Sequence, residues 1–335
     1  MCGKIRLGFL GVAHFHADSY ARAARSLPNV DLIGVYEVDK VVGSRFASIH
    51  GINIFSNMDE LLREVDAVII TAENSLHHEY AIRAVECGVN VLCEKPMTIS
   101  LSDADDVVRA VNRSRVKFQM CYVMRYHTVT RVAKSLLEAG RIGRVLAMVG
   151  SNRVRRDLPV MRDWFVDRER AGGGAIMDHT VHLADLMRWY TNSEVEEVYT
   201  ISGRNINQHI SVEDNFSTTL QFENGILGHI DGSWAYSSGY YTWGDVAVEI
   251  VGSEGVLMID AFRQSVYFIG DAGPDKRLVW HYYGCDADLE MVKSFVKCLV
   301  KDERPLADVY DGRQGVAVTL ASYESIMLGR PVRPG

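Results

Sequence analysis

Two short stretches of this sequence carry the residue types that move protons and hold developing charge. Glu94-Lys95-Pro96 closes the apolar run Val89 to Cys93, so a carboxylate, an ammonium and a rigid imide stand where a buried strand ends. Open α/β sheets carry their chemistry at that edge. Further on, Gly172-Gly173-Gly174 precedes Asp178 and His182. Transfer of a hydride from an alcohol carbon needs a base for the hydroxyl proton and a donor for the alkoxide as it forms. Histidine, whose pKa lies near neutrality, suits the first role and lysine the second. Asp178 and His182 are spaced i,i+4, which puts both on one face of a helix. The three glycines permit close backbone approach to a ligand, and the aspartate sits well near a helix N-terminus. Lys95, Asp178 and His182 are therefore the candidate catalytic residues.

Each residue also has a plainer reading. Asp178 can be a first-turn acid, His182 a core histidine, and Lys95 a surface lysine paired with Glu94. Asp178, His179 and His182 would also suit a metal, but no spaced cysteine or clear further ligand accompanies them, so none is expected. Arg125, Tyr126 and Trp164 are candidates for the pocket wall, with His179 beside Asp178, although aromatics at such spacing also suit a core or a rim.

The elements that must position these residues are legible around them. Near-continuous apolar runs at 5–10, 32–36, 67–71, 90–93 and 117–121 read as parallel strands covered on both faces. Helical patterns lie between them, which implies a doubly wound parallel sheet. Ser56-x-x-Asp59 and Ser100-x-x-Asp103 resemble capping boxes, and Gly88 suits the residue just past a helix. After Tyr126 the texture changes. A helix at 130–139 leads to a strand at 144–149, a charged loop from Arg153 to Arg170, and a helix at 178–190. Strands dominate from Glu194 to His281, with a hairpin at Asn224-Gly225 and a reversal at Gly252-Ser253-Glu254-Gly255. Helices at 286–300 and 310–328 close the chain. The expected fold is α/β, a doubly wound parallel sheet over 1–124 followed by an α+β domain over 125–335 with a large, mostly antiparallel open sheet.

The first strand turns into the first helix through Gly8-Phe9-Leu10-Gly11-Val12-Ala13-His14-Phe15-His16. A dinucleotide fingerprint wants glycine at 11, 13 and 16. Gly11 matches, Ala13 is a small substitute and His16 departs from the pattern. Glu37 ends the second strand, where an acid accepts hydrogen bonds from a ribose 2′-hydroxyl and repels the 2′-phosphate of NADP. Asp39 adds to that repulsion, so NAD is favoured over NADP. Gly8, Gly11, Ala13, His14, Phe15, Glu37, Thr71, Asn74, His77, Glu94, Lys95 and Arg125 are the candidate cofactor residues. Asn74 or Ser75 also suits a helix N-cap.

At 335 residues, two domains are the default. A formal charge of −7 argues against a nucleic-acid binder. No stretch has the length and apolarity of a membrane span, and no signal-peptide core follows Met1. The six scattered cysteines read as free thiols of a reducing compartment. A cytoplasmic protein acting on a small molecule is expected.

Taken together, the chain resembles the glucose–fructose oxidoreductase/inositol dehydrogenase/rhizopine-catabolism (Gfo/Idh/MocA) family over essentially its whole length. The resemblance rests on Glu94-Lys95-Pro96, Gly172-Gly173-Gly174 with Asp178 and His182, Glu213-Asp214-Asn215, Val251 to Gly255 and Gly329-Arg330-Pro331. It implies a Rossmann domain, a second domain whose open sheet mediates homodimers or homotetramers, and NAD(P)-dependent oxidation or reduction of sugars, cyclitols or polyols. It further implies that Lys95 is the catalytic lysine, His182 the acid/base and Asp178 their partner in the substrate site. The bond before the motif's proline is often cis in the family. Ala13, His16 and Glu73 depart from its usual pattern. Two alternatives stay open: an NAD-dependent glycosidase of the same fold, and a non-catalytic protein that senses NAD or sugar.

Overall fold

The computed structural model describes residues 4–335 apart from 161, 264, 270–277 and 283, so Cys2 and part of the expected strand-rich stretch lie outside the described residues. The chain forms two compact units. One runs to Tyr126 and takes in Glu169–Gly172 and Ala287–Val316; the other holds His127–Arg168, Gly173–Asp286 and Ala317–Gly335. The path thus returns to the first unit late in the sequence, which a single boundary after residue 124 does not describe.

In the first unit the elements are β1 (Ile5–Leu10), α1 (Ala17–Ser26), β2 (Val30–Tyr36), α2 (Lys40–His50), β3 (Asn53–Phe55), α3 (Met58–Glu64), β4 (Ala67–Ile70), α4 (His77–Glu86), β5 (Asn90–Cys93), α5 (Leu101–Asn112) and β6 (Phe118–Met120). The six strands are all parallel, in the order β3-β2-β1-β4-β5-β6. That order reverses direction between β1 and β4, which makes their carboxyl ends the switch point where such sheets bind ligands. Leu7, Phe9, Ile69 and Leu92 are fully buried, as expected of strands covered on both faces. β3 has no counterpart in the sequence reading, because it is three residues long with Asn53 and Ile54 exposed. Ser100 caps α5, its Oγ accepting from Asp103 N at 3.2 Å. At the other expected box the cap is Asn57 rather than Ser56, its Oδ1 accepting from Asp59 N at 2.8 Å. Gly88 follows α4 with φ +73°.

The second unit contains α6 (Thr128–Glu138), β7 (Val145–Arg155), the single turns α7 (Asp157–Val160) and α8 (Arg168–Ala171, whose last three residues fall in the first unit), α9 (Ala175–Thr191), β8 (Val195–Gly203), β9 (Asn215–Phe222), β10 (Leu227–Tyr236), β11 (Gly244–Gly252), β12 (Val256–Asp260), β13 (Ser265–Ile269) and β14 (Leu278–Tyr282). Its main sheet runs β12-β11-β7-β10-β9-β8, antiparallel except for the β7–β10 pair. The Asn224-Gly225 hairpin joins β9 to β10, and Gly252 N donates to Gly255 O at the β11–β12 reversal. β7 runs on to Arg155, so Arg153 and Arg155 belong to a strand and not to the expected charged loop. Arg153 is held there by Asp231 and Asp245 on neighbouring strands, a pairing that hydropathy does not reveal. α9 packs on this sheet over Gly150, where a Cβ would lie 3.0 Å from both Leu183 and Met187.

The closing helices are α10 (Ala287–Lys301) and α11 (Val309–Leu328). α10 inserts Met291, Val292, Phe295 and Val296 into the first unit's core beside Tyr20 and Ala24. Among the described residues no helix is long and apolar enough to cross a membrane. Cys87, Cys93, Cys121, Cys285 and Cys298 are free thiols.

Candidate active site

At the switch point, Gly11 takes φ +71° and a Cβ there would lie 2.3 Å from that of Ala72. No side chain fits, which is the demand a dinucleotide fingerprint makes of its first glycine. Gly11 N donates to Tyr36 O at 2.8 Å, Thr71 Oγ1 donates to Gly11 O at 2.6 Å, and His14 N donates to Thr71 O at 2.9 Å. These bonds fix the turn across the ends of β1, β2 and β4. Glu37 is buried, its carboxylate accepting from Val12 N at 2.7 Å and Asp39 N at 3.0 Å. A tight turn, a helix N-terminus and an acid ending β2 are the parts that hold a dinucleotide, and they fit it here. Asp39 also has a structural task, since its Oδ1 caps α2 by accepting from Val41 N and Val42 N.

Several expected cofactor residues have partners within the protein. Gly8 lies inside β1, where its missing side chain makes room for Leu61 and Val65. His77 is fully buried and braces the segment after β5, its Nδ1 2.7 Å from Pro96 O. Its Nε2 lies 3.2 Å from Ala72 O, and burial lowers its pKa. Neither Asn74 nor Ser75 caps α4; Asn74 Nδ2 instead donates to Ala171 O at 2.8 Å. Arg125 is buried, paired with Asp311 at 2.8 Å and donating to Leu306 O. Tyr126, expected on the pocket wall, is a core residue packed with Cys121 and Phe295, and burial raises its pKa. Phe15 is 39% exposed and stacks on His14. Residue type alone does not say which way a side chain faces.

Lys95 stands at the carboxyl end of β5, 3% exposed, and its bond to Pro96 is cis. Glu94 is wholly buried. Its Oε2 accepts from Tyr20 Oη at 2.7 Å, while Oε1 lies 3.1 Å from His16 Nδ1 and 3.8 Å from His14 Nε2. Burial alone would push this carboxyl up, but His16, Lys95 and Tyr20 outweigh it and hold the pKa below its ordinary value. The side chains of Glu94 and His14 are both wholly buried. The sequence reading missed Tyr20, although its i,i+4 spacing from His16 puts both on one helix face.

In the second unit α9 carries Asp178, His179 and His182, all buried. Trp234 Nε1 donates to Asp178 Oδ2 at 3.2 Å, and His179 Nδ1 lies 3.6 Å from the same oxygen. Trp234, fully buried on β10, was not anticipated. Glu213 starts the helix: its Oε1 accepts from Gly174 N at 2.9 Å, Ile176 N at 3.1 Å and Tyr323 Oη at 2.8 Å, while its carbonyl accepts from Ala175 N. The glycines serve this packing. A Cβ on Gly173 would sit 1.8 Å from Tyr323 Oη and one on Gly174 2.0 Å from Glu213 O. Protein atoms fill the space beside Gly173 and Gly174. Trp164 is 5% exposed and packs edge-on against Phe165 at 5.0 Å.

Comparison with known proteins agrees with this architecture. Residues 5–122 match the family model described as "Oxidoreductase family, NAD-binding Rossmann fold", and residues 130–258 match the GFO/IDH/MocA C-terminal domain. The chain is 26% identical to a myo-inositol 2-dehydrogenase of Thermotoga maritima, over 99% of this chain and 97% of that one. It is 27% identical to the scyllo-inositol 2-dehydrogenase (NAD(+)) of Bacillus subtilis, over 99% and 95%. The fold is shared with GenD2 from gentamicin A biosynthesis, solved in complex with NAD, with a TM-score of 0.89, 24% identity and coverage of 100% and 97%.

Proposed function

The chain belongs to the Gfo/Idh/MocA family of oxidoreductases, and on that premise we propose that it transfers a hydride between NAD and a secondary alcohol or ketone of a sugar, cyclitol or related polyol. The observation that carries this reading is Lys95, a lysine 3% exposed at the carboxyl end of a Rossmann strand. Inositol dehydrogenases among the relatives put cyclitols first among the substrates to test. The dinucleotide, when bound, supplies the hydride acceptor or donor.

The chain's own residues do the rest. Gly11, Ala13, His14, Phe15 and Thr71 would present the turn to the pyrophosphate, and Glu37 would accept from the ribose. The Glu37 and Asp39 carboxylates disfavour a 2′-phosphate, which supports NAD over NADP. In oxidation His182 takes the hydroxyl proton; in reduction it returns it. Lys95 donates to the substrate oxygen and stabilises alkoxide character. Asp178, oriented by Trp234, accepts from substrate hydroxyls, with His179 beside it.

Support for assembly comes from the face of the second sheet turned away from α9. Tyr199, Thr219, His229, Val149, Glu249 and Met258 lie side by side across it. Tyr199, Val149 and Met258 are 41%, 52% and 80% exposed. Such a patch supports a homodimer or homotetramer formed through this sheet. The free thiols support a reducing, cytoplasmic setting.

The test is a spectrophotometric screen of the purified chain with NAD over sugars and cyclitols. Net NADH formation with at least one of them is expected. Glycoside hydrolysis without net NADH would make the protein a glycosidase, and no turnover of either kind would end the enzymatic reading.

A further inference from the structure

We propose that His14, His16 and Glu94 form a binding site for one divalent transition-metal ion of the zinc class. The two imidazoles come from a His-x-His turn between β1 and α1, and the carboxylate from the end of β5, all within the first unit. The ligand atoms of the three residues lie within 4.8 Å of one another. Zinc with nitrogen and oxygen ligands at about 2.0–2.2 Å in a tetrahedron spaces those ligands roughly 3.3–3.5 Å apart. The distances of 3.1 and 3.8 Å from Glu94 Oε1 to His16 Nδ1 and His14 Nε2 straddle that spacing.

The chemistry of the set points the same way. Tyr20 Oη donates to Glu94 Oε2 at 2.7 Å and lies 3.2 Å from His16 Nδ1, while both imidazoles face the other Glu94 oxygen. A hydroxyl that orients a ligating carboxylate is the usual outer support of a metal centre. Two histidines and one carboxylate suit zinc, iron or nickel and not magnesium or calcium. The His16 side chain is 19% exposed, which leaves a route for the ion, while those of His14 and Glu94 are wholly buried. With an ion on Nε2 the His14 proton would move to Nδ1, displacing the 3.3 Å contact from His16 N. That contact is long for a hydrogen bond. The cluster of His78, Asp103 and Asp106 offers an internal contrast: its contacts are 3.9 and 3.7 Å and all three side chains are partly exposed.

The test uses the full chain, stripped with a chelator and titrated with zinc by calorimetry and with cobalt(II) by visible absorption. One ion per chain is expected, with the d–d bands of four-coordinate cobalt. Affinity should fall by about 10- to 100-fold or more in His14→Ala, His16→Ala and Glu94→Gln and stay unchanged in His78→Ala. Should Glu94→Gln or His14→Ala not fold, His16→Asn, at the partly exposed position, still decides the matter. Absence of stoichiometric binding, or binding that survives His16→Asn, overturns the proposal, as does loss confined to His78→Ala. The readout is ion binding itself, so this inference and the oxidoreductase reading fail separately.

Discussion

Replacing Glu213 tests how the start of α9 is built. One carboxylate oxygen accepts from Gly174 N, Ile176 N and Tyr323 Oη. Hydrogen bonds to a charged acceptor are worth about 1.5–3 kcal/mol each, but three donors sharing one oxygen do not add in full. Glu213→Ala also strands the Tyr323 hydroxyl, whose pKa burial raises. A loss of about 3–4 kcal/mol is expected. Glu213→Gln keeps an oxygen in place without its charge and should cost about 1–2 kcal/mol, since neutral bonds are roughly half as strong. Thermal melts of the full chain, at very roughly 2–4 °C per kcal/mol, separate the two variants. If Glu213→Ala melts with the wild type, or Glu213→Gln is as damaged as the alanine variant, the carboxylate does not organise this helix.

Burial lowers the pKa of His77 and of His127. The unfolded chain gains protons at these positions once the pH drops below about 6.5, while the folded chain resists them. Stability is therefore complete above that value and is lost as the pH falls toward the folded pKa, by up to about 1.4 kcal/mol per pH unit for each histidine. Urea melts on either side of pH 6.5 should show this slope, and His77→Gln should flatten it; an unchanged slope would remove His77 from the effect. Glu37→Gln removes the charge set against a 2′-phosphate while leaving one oxygen for the turn. The NADP to NAD ratio of kcat/KM should rise by at least about tenfold, or 1.4 kcal/mol, and an unmoved ratio would place cofactor choice elsewhere.

How much of this was legible in the sequence depends on burial. β1 and β5 begin and end where their apolar runs do, because both faces are covered. β3 was not legible, being short and exposed. α9 is buried on nearly every side, so its residues show no sharp polar stripe, and its start at Ala175 preceded the expected Asp178. The i,i+4 spacing put Asp178 and His182 on one helix, as in α9, yet the Trp234 that holds Asp178 is remote in sequence and invisible to any local pattern. Glycine misled twice: Gly8 makes room for Leu61, and Gly173 for Tyr323. His77 and Tyr126 are buried in the interior, which residue type alone does not reveal.

The most direct measurement is steady-state turnover of Lys95→Ala and His182→Ala on the best substrate of the NADH screen, with NADH affinity followed by fluorescence. A positioned acid/base contributes about 10²- to 10⁴-fold, so His182→Ala should lose that much in kcat, and Lys95→Ala a comparable factor, with NADH still bound. Near-normal turnover in either variant would contradict the roles assigned to these two residues.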